Sequence, residues 1–171
     1  MGDPAGKTLF IANRGEIAVR INRAAKTFGM RVAQAHSEAD ADMLAVRLAD
    51  EAAEIGPPQA TKSYLDVERV VAAAKAAGAD AVHPGYGFLA ENAAFADAVE
   101  AAGMRFVGPD GATIARMGDK VAAREAAAAA GVPTVPGSDG RVADLSTLGD
   151  VAEKTGFPVM IKAAAGGGGR G

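Results

Sequence analysis

The chain has 171 residues, a net charge of −3 and no cysteine. A slightly acidic chain without a basic run lacks the charge pattern of a nucleic-acid binder, and the missing thiols exclude disulfides and cysteine metal sites. The two histidines, His36 and His83, are too far apart to favour a zinc site, and no apolar run reaches the ~18 residues of a membrane span. We therefore expect a cytoplasmic protein that is neither a nucleic-acid nor a membrane binder and that offers no metal ligands of its own.

A repeated junction organises the sequence: a segment with helical periodicity ends at one glycine, and a short apolar segment follows. The junction glycines are Gly29, Gly78, Gly103, Gly131 and Gly156. Glycine takes the left-handed conformation just past a helix end at little cost, and strands that alternate with helices indicate βαβ units. The pattern predicts an α/β fold with a right-handed, doubly wound parallel sheet.

The junctions and the apolar periodicity place the elements in chain order. The predicted strands are 8–12, 31–35, 52–55, 81–83, 105–107 and 157–161. After a first helix that begins near Gly15, the predicted helices are 42–50, 64–77, 92–102, 112–117, 119–130 and 145–154. The buried face predicted for the first helix consists of Ile17, Ile21, Ala24, Ala25 and Phe28. Ser63 is predicted to cap the helix that follows it.

The proline- and glycine-containing stretch 132–140 is predicted to be a linker or an exposed turn. Together with the element order, it predicts two domains, a complete one over residues 1–115 and the beginning of a second over 116–171. The second segment stops inside a glycine-rich loop.

Two turns at the carboxyl ends of predicted strands are candidate ligand sites, because open α/β sheets bind ligands there. The first, Asn13-Arg14-Gly15-Glu16, is either such a site or a structural turn with a helix cap, and it lacks the glycines of a dinucleotide fingerprint. The second runs from His83 to Leu89 and exposes Tyr86 between two glycines. His83 could act as an acid–base group, or it could be a hydrogen-bonded structural residue.

Two lysines are candidates for phosphate binding. Lys162 ends an apolar strand and is followed by Gly166, Gly167, Gly168 and Gly169. A strand-borne lysine beside a glycine flap suits nucleotide-dependent phosphoryl transfer, although the alternative is a glycine tail without function. Lys120 follows a predicted helix cap, Asp119, and is either a second phosphate contact or a solvated surface charge.

Taken together and in this order, the segments resemble the biotin carboxylase family of ATP-grasp ligases. The matching runs are Ile11–Arg20, Ala35–Glu38, Leu48–Glu51, Lys62–Leu65, His83–Leu89, Glu91–Ala93, Phe106–Pro109, Met117–Lys120, Val135–Gly140, Pro158–Ala163 and the glycine run. The resemblance implies a Rossmann-like pre-ATP-grasp domain followed by the start of an ATP-grasp domain. It also implies an enzyme that uses ATP and bicarbonate, via carboxyphosphate, to carboxylate biotin on a carrier protein.

The resemblance assigns roles to particular residues. Lys120, Lys162 and the glycines Gly166 to Gly169 would contact ATP, and His83, Tyr86 and Gly87 would lie near the biotin pocket. The Mg²⁺ ligands and the catalytic residues are expected beyond Gly171, so the isolated chain is expected to be inactive. A homodimer, the biotin carboxyl carrier protein and a carboxyltransferase are the implied partners.

Acetyl-CoA carboxylase of fatty acid biosynthesis, propionyl-CoA carboxylase and pyruvate carboxylase share this signature, so the final carboxyl acceptor stays open. Two other classes of function also stay open. One is a non-catalytic Rossmann-like module for dimerisation or carrier docking, and the other is a dinucleotide-dependent oxidoreductase.

Overall fold

The computed structural model describes residues 3–138, 142 and 144–161. The chain separates into two compact units, Met1–Ile114 and Ala115–Gly171. Within the described residues, the first unit forms one sheet of five strands. They are β1 (Thr8–Ile11), β2 (Arg31–His36), β3 (Glu51–Glu54), β4 (Ala81–His83) and β5 (Arg105–Phe106).

All four strand pairings are parallel, and the strand order is β3-β2-β1-β4-β5. The chain therefore runs outward from β1 to β3 and then returns to the other side of β1 to add β4 and β5. The helices of this unit are α1 (Gly15–Thr27), α2 (Leu44–Leu48), α3 (Val67–Ala76) and α4 (Ala93–Ala101). The predicted α/β class with a doubly wound parallel sheet is confirmed.

The central strand β1 is buried on both faces of the sheet. Leu9 and Ile11 pack in a cluster with α1, whereas Phe10 belongs to a second cluster that includes Phe95 of α4. Successive side chains of a strand point to opposite faces, so a strand covered on both sides is apolar at consecutive positions, as Leu9, Phe10 and Ile11 are. Burying each large apolar side chain contributes about 1.5–3 kcal/mol, so β1 is a main source of the stability of the sheet.

Carboxylates hold the amino ends of three strands. An oxygen of Asp80 accepts a hydrogen bond from the backbone N–H of Thr8 at 2.8 Å, and Asp50 accepts one from Val32 at 2.8 Å. Glu100 does the same for Phe106 at 2.9 Å. A salt bridge with Lys26, together with the bond from Val32, lowers the pKa of Asp50. Acidic side chains therefore accept the free N–H groups at the amino edge of the sheet. The candidate turns lie at the opposite, carboxyl edge.

Three local predictions are corrected by the structure. Ala24 and Phe28, expected on the buried face of α1, are exposed, Phe28 by 63%, because the face that packs on the sheet runs through Ala18, Ile21, Asn22 and Ala25. α3 begins at Val67, and its cap is Asp66, whose carboxylate accepts from the N–H of Arg69 at 3.1 Å. Ser63 instead donates to the carbonyl of Gln59 at 2.9 Å.

The second unit is helical in its described part. α5 (Gly111–Gly118) contains the point of division, and α6 (Lys120–Ala129) and α7 (Leu148–Thr155) follow. The strand predicted at 157–161 is wrong, because this stretch has no regular structure and Phe157 and Met160 are 76% and 79% exposed. A strand needs a hydrogen-bonded neighbour, and no described residue of this unit supplies one. Across the described ranges, no helix combines the length and the apolar character needed to cross a bilayer.

Candidate functional site

The carboxyl ends of β1 and β4 bring two turns together. The strands are hydrogen-bonded neighbours, so the residues that follow them, 13–17 and 86–88, line one open cleft of about 460 Å³. The strand order reverses at this point, and open α/β sheets bind ligands at such a reversal. Both candidate turns of the sequence therefore belong to one site.

Asn13 connects the two turns directly. Its Nδ2 donates to the carbonyl of Pro84 at 2.6 Å and to the carbonyl of Tyr86 at 2.9 Å. Its Oδ1 accepts from the backbone N–H of Arg14 at 2.8 Å. Between the two carbonyls, Gly85 has φ of 66°, a conformation that side-chain-bearing residues rarely adopt. Of the two interpretations of the first turn, the helix cap has no side-chain hydrogen bond behind it, because Arg14 occupies the N-cap position of α1 without one.

Gln34 of β2 supports Asn13 from inside the sheet. Its Nε2 donates to the carbonyl of Asn13 at 2.7 Å and to the carbonyl of Ala35 at 2.7 Å. Gln34 is fully buried and Asn13 is 2% exposed. Hydrogen bonds of buried polar groups are costly to break, so this pair anchors the first turn to the sheet.

Tyr86 lies at the mouth of the cleft with its ring 63% exposed. Its hydroxyl donates to the carboxylate of Glu16 on α1. This hydrogen bond, together with the negative charge of Glu16, raises the pKa of Tyr86. The hydrogen bond therefore ties the Tyr86 side chain to the first turn of α1 beside the cleft.

His83 is a structural residue of the second turn. Its Nδ1 accepts a hydrogen bond from the backbone N–H of Gly85 at 3.0 Å, which requires an unprotonated Nδ1. Burial lowers the pKa of His83, so the imidazole is neutral at pH 7. Of the two interpretations drawn from the sequence, the geometry favours the hydrogen-bonded structural residue over the acid–base group.

The buried carboxylate of Asp40 contacts the first turn through Arg14. Its Oδ2 accepts from the Oγ of Ser37 at 2.7 Å and from the hydroxyl of Tyr64 at 2.8 Å, and it lies 3.2 Å from a nitrogen of Arg14. Burial alone would raise the pKa of Asp40, but the three donors outweigh it and hold that pKa below its ordinary value. The Tyr64 hydroxyl also accepts from the N–H of Ser37 at 3.0 Å, and burial raises the pKa of Tyr64 to about 12.

Arg14 links this network to the cleft. Its guanidinium lies 5.4 Å from the ring centroid of Tyr64 and 5.6 Å from that of Phe88, within the range of cation–π attraction. Sequence reasoning did not identify Ser37, Asp40, Tyr64 or Gln34 as part of the site. Asp40 and Tyr64 are 24 positions apart, and no local spacing signals that they meet.

The remaining predicted site residues belong to the second unit. Lys120 is the first residue of α6, and the predicted cap before it is confirmed, since Asp119 accepts from the N–H groups of Val121 and Ala122 at 2.9 Å each. Lys162 and the glycines Gly166, Gly167, Gly168 and Gly169 lie outside the described residues. In the part of the chain that the structure describes, no group of three or more acidic, histidine or cysteine side chains is placed to hold a metal ion.

The parallel sheet and its point of reversal define a doubly wound α/β protein with a cleft at the carboxyl edge of the sheet. The chain belongs to the family described as biotin carboxylase, N-terminal domain, whose model matches residues 5–114. A second model, described as carbamoyl-phosphate synthase L chain, ATP binding domain, matches residues 119–171.

Individual relatives agree with this membership. The biotin carboxylase of Pseudomonas aeruginosa is 55% identical over 164 residues, which cover 95% of this chain and 36% of the relative. Among solved structures, the Campylobacter jejuni biotin carboxylase in complex with β,γ-ATP matches with a TM-score of 0.90 at 44% identity, over 96% of this chain and 37% of the other.

A second solved structure is the biotin carboxylase domain dimer of the Hydrogenobacter thermophilus 2-oxoglutarate carboxylase, in complex with MgADP, ADP and bicarbonate. It matches with a TM-score of 0.88 at 46% identity, over 96% of this chain and 36% of the other. The chain thus spans little more than a third of the length of these relatives.

Proposed function

We propose that this chain is the amino-terminal part of a biotin carboxylase, an ATP-dependent carbon–nitrogen ligase that transfers a carboxyl group from bicarbonate to biotin on a carrier protein. The observation that carries the proposal is the 55% identity to a biotin carboxylase over 95% of the chain. The cleft between the turns at residues 13–17 and 86–88 supports it, because it supplies a concave site at the ligand-binding edge of the sheet.

The proposal assigns the two units to two domains. Residues 1–115 are the pre-ATP-grasp domain, and residues 116–171 are the beginning of the ATP-grasp domain. The compact units Met1–Ile114 and Ala115–Gly171 support this assignment, as do the two family matches over 5–114 and 119–171.

ATP would activate bicarbonate as carboxyphosphate, from which the carboxyl group passes to a ring nitrogen of biotin. We assign Lys120, Lys162 and Gly166 to Gly169 to ATP, because ammonium groups and closely approaching backbone N–H groups stabilise phosphate charge. Tyr86 and Gly87 are assigned to the biotin side, with the neutral His83 holding the turn beneath them. The described residues do not fit Mg²⁺, so no metal-assisted step is assigned to them.

Nucleotide turnover tests the proposal. In the native polypeptide that carries this sequence, we expect ADP release from ATP to require bicarbonate and to rise when biotin is added. Lys120→Ala and Lys162→Ala should each weaken ATP binding by at least about tenfold, since each removes a charged phosphate contact. Lys154→Ala, at an exposed position of α7, is the matched control and should bind ATP normally. ATP cleavage that ignores bicarbonate would contradict the proposal, and NAD binding would favour the oxidoreductase.

A groove beside α1 favours the second candidate, a module for dimerisation. It has a volume of about 870 Å³ and is lined by residues that include Arg20, Arg23, Met43 and Leu44. The two apolar side chains are 50% and 46% exposed, which suits a covered surface. We propose that the protein is a homodimer. Sedimentation at increasing concentration tests this, and a concentration-dependent dimer that binds no nucleotide would favour the module over the enzyme.

The carrier protein and the carboxyltransferase remain part of the proposal, with the cytoplasm as the location. The final acceptor stays open, because the relatives include a 2-oxoglutarate carboxylase and a propionyl-CoA carboxylase alpha chain. A role in fatty acid biosynthesis would require acetyl-CoA as the acceptor. Comparing carboxylation of acetyl-CoA, propionyl-CoA, pyruvate and 2-oxoglutarate by the assembled enzyme separates these cases.

A further inference from the structure

We propose that Asn13 is a positioning residue that sets the place of Tyr86 and Gly87 in the cleft. The claim about the turn stands on geometry alone, whereas its consequence for biotin rests on the proposed function. Asn13 need not touch a ligand to act in this way, since it acts through the turn that follows β4.

The amide of Asn13 has one orientation that satisfies its neighbours. Oδ1 faces the backbone N–H of Arg14, and Nδ2 faces the carbonyls of Pro84 and Tyr86. A reversed amide would place its oxygen against two carbonyl oxygens and its NH₂ group against an N–H. The amide of Asn13 therefore has a fixed orientation, and both of its N–H groups donate to carbonyls of the same turn.

The turn and the amide are also interlocked sterically. A Cβ atom added to Gly85 would lie 2.7 Å from Nδ2 of Asn13 and 3.1 Å from its Cγ. Real Cβ contacts are longer than this, so the backbone of the turn approaches the amide as closely as glycine permits. Any change that displaces Asn13 leaves the turn without its nearest neighbour.

Asn13 is itself fixed in position by a hydrogen bond from the sheet. Gln34 donates to its carbonyl at 2.7 Å, and both residues are buried. The other restraints on the turn are different in kind. The His83–Gly85 bond is internal to the strand end and the turn, and the Tyr86–Glu16 bond is exposed. At the other end of the turn, the ring of Phe88 stacks on Tyr64. The Asn13 amide thus provides a buried side-chain hydrogen bond between the turn and the segment that follows the central strand.

Asn13→Asp is the sharpest test, because it keeps the size of the side chain and replaces the two donors with an acceptor that faces two carbonyls. In the native polypeptide, we expect the KM for free biotin to rise by at least about tenfold, as misplacement of about 1 Å is enough for such a loss. The KM for ATP should change by less than about twofold. The matched control is Asn22→Ala, at a buried asparagine of α1 whose Nδ2 makes no hydrogen bond within the described residues, and it should leave the KM for biotin unchanged.

Gly85→Ala tests the same contact from the other side and provides for the case in which Asn13→Asp does not fold. It should raise the KM for biotin as well, and the double variant Gly85→Ala/Asn13→Ala should lose less than the sum of the two single losses, because the clash with the amide is absent once Asn13 is replaced. Additive effects of the two substitutions would overturn the interlock, and an unchanged KM for biotin in folded Asn13→Asp would overturn the positioning role.

Amide hydrogen exchange separates this inference from the proposed function. We expect Asn13→Asp to speed exchange at the N–H groups of residues 85–87 by about tenfold or more, with no such change in Asn22→Ala. A wild-type protein that lacks bicarbonate-dependent turnover would remove the biotin assignment alone. Unchanged exchange would overturn the role of Asn13 whatever the enzyme does.

Discussion

The ring of Tyr64 stacks on the ring of Phe88, with the two centroids 5.0 Å apart and the ring planes inclined by 15°. Phe88 has φ of 41°, a strained value for a residue with a side chain. The stack and the guanidinium of Arg14 at 5.6 Å stabilise this conformation. Tyr64 thus has two roles. Its ring packs against Phe88 of the cleft, and its hydroxyl hydrogen-bonds to Asp40 and to the N–H of Ser37.

Tyr64→Phe should separate these two roles. The ring stack is retained, but the buried N–H of Ser37 loses its acceptor and Asp40 loses a donor. We expect the free energy of unfolding to fall by about 1–3 kcal/mol, as measured by urea denaturation at pH 7. Tyr86→Phe is the control at an exposed ring and should change stability by less than about 0.5 kcal/mol. Equal effects of the two substitutions would contradict the network.

Asp40 should make stability depend on pH in acid. Its donors hold the folded-state pKa below the value of about 3.9 in an unfolded chain. The ionised carboxylate therefore stabilises the fold fully above that pH, and the stabilisation is lost as the pH falls through the folded-state pKa. We expect Asp40→Asn to lose about 2 kcal/mol at pH 7 and less at pH 3, as measured by urea unfolding.

Asp42→Asn makes the same change of charge at an exposed position two residues away. It should show the pH dependence of the wild type. If Asp40→Asn and Asp42→Asn have the same difference in stability between pH 7 and pH 3, Asp40 does not carry the effect.

The tyrosine pair offers a spectroscopic test of the cleft, because the chain has two tyrosines and no tryptophan. Absorbance at alkaline pH should resolve a late titration of Tyr64 with a pKa of about 12. Glu16→Gln should lower the pKa of Tyr86 toward its ordinary value, since a nearby carboxylate opposes formation of the phenolate. Glu38→Gln, at an exposed glutamate of the same unit, should leave both titrations in place. An unmoved Tyr86 titration in Glu16→Gln would exclude the hydrogen bond.

Two glycines with positive φ should differ sharply in their tolerance of alanine. Gly56 has φ of 122°, and an added Cβ would lie 2.7 Å from the carbonyl oxygen of Lys62. Gly78, after α3, has φ of 61° and open space around it. We expect Gly78→Ala to cost about 1 kcal/mol of unfolding free energy from backbone strain alone.

Gly56→Ala should cost about 3 kcal/mol or more, because the backbone oxygen cannot move aside as a flexible side chain would. Thermal unfolding of the two variants beside the wild type measures the difference. A smaller loss for Gly56→Ala than for Gly78→Ala would show that the loop around residue 56 relaxes.

The sheet could be predicted because its signals are local. All five junction glycines have positive φ just past a helix end, so each predicted junction marks a real helix end; they are Gly29, Gly78, Gly103, Gly131 and Gly156. The strand at 157–161 failed for the opposite reason. Its composition is apolar, but pairing depends on a neighbouring strand, and composition carries no information about that neighbour.

The candidate site was predictable only in outline. Both turns were located from their position after β1 and β4, since the carboxyl ends of parallel strands meet at one edge. The contacts between them were not, because the bonds from Asn13 to Pro84 and Tyr86 join residues 71 and 73 positions apart. Ser63 and Asp66 are both residue types that favour a helix cap. Which of them caps α3 depends on where the helix begins, and the sequence does not show that Ser63 instead bonds to the carbonyl of Gln59.

The close approach of Gly85 to Asn13 has a consequence for how this sequence can diverge. A larger residue at position 85 requires a smaller one at position 13, and a smaller residue at 13 leaves two carbonyls without donors. Neither position can change through a single neutral step, and the positive φ of Gly85 disfavours a larger residue there even when Asn13 is replaced, so we expect the two residues to be retained together. Among descendants of this sequence, we expect Asn13 and Gly85 to occur together.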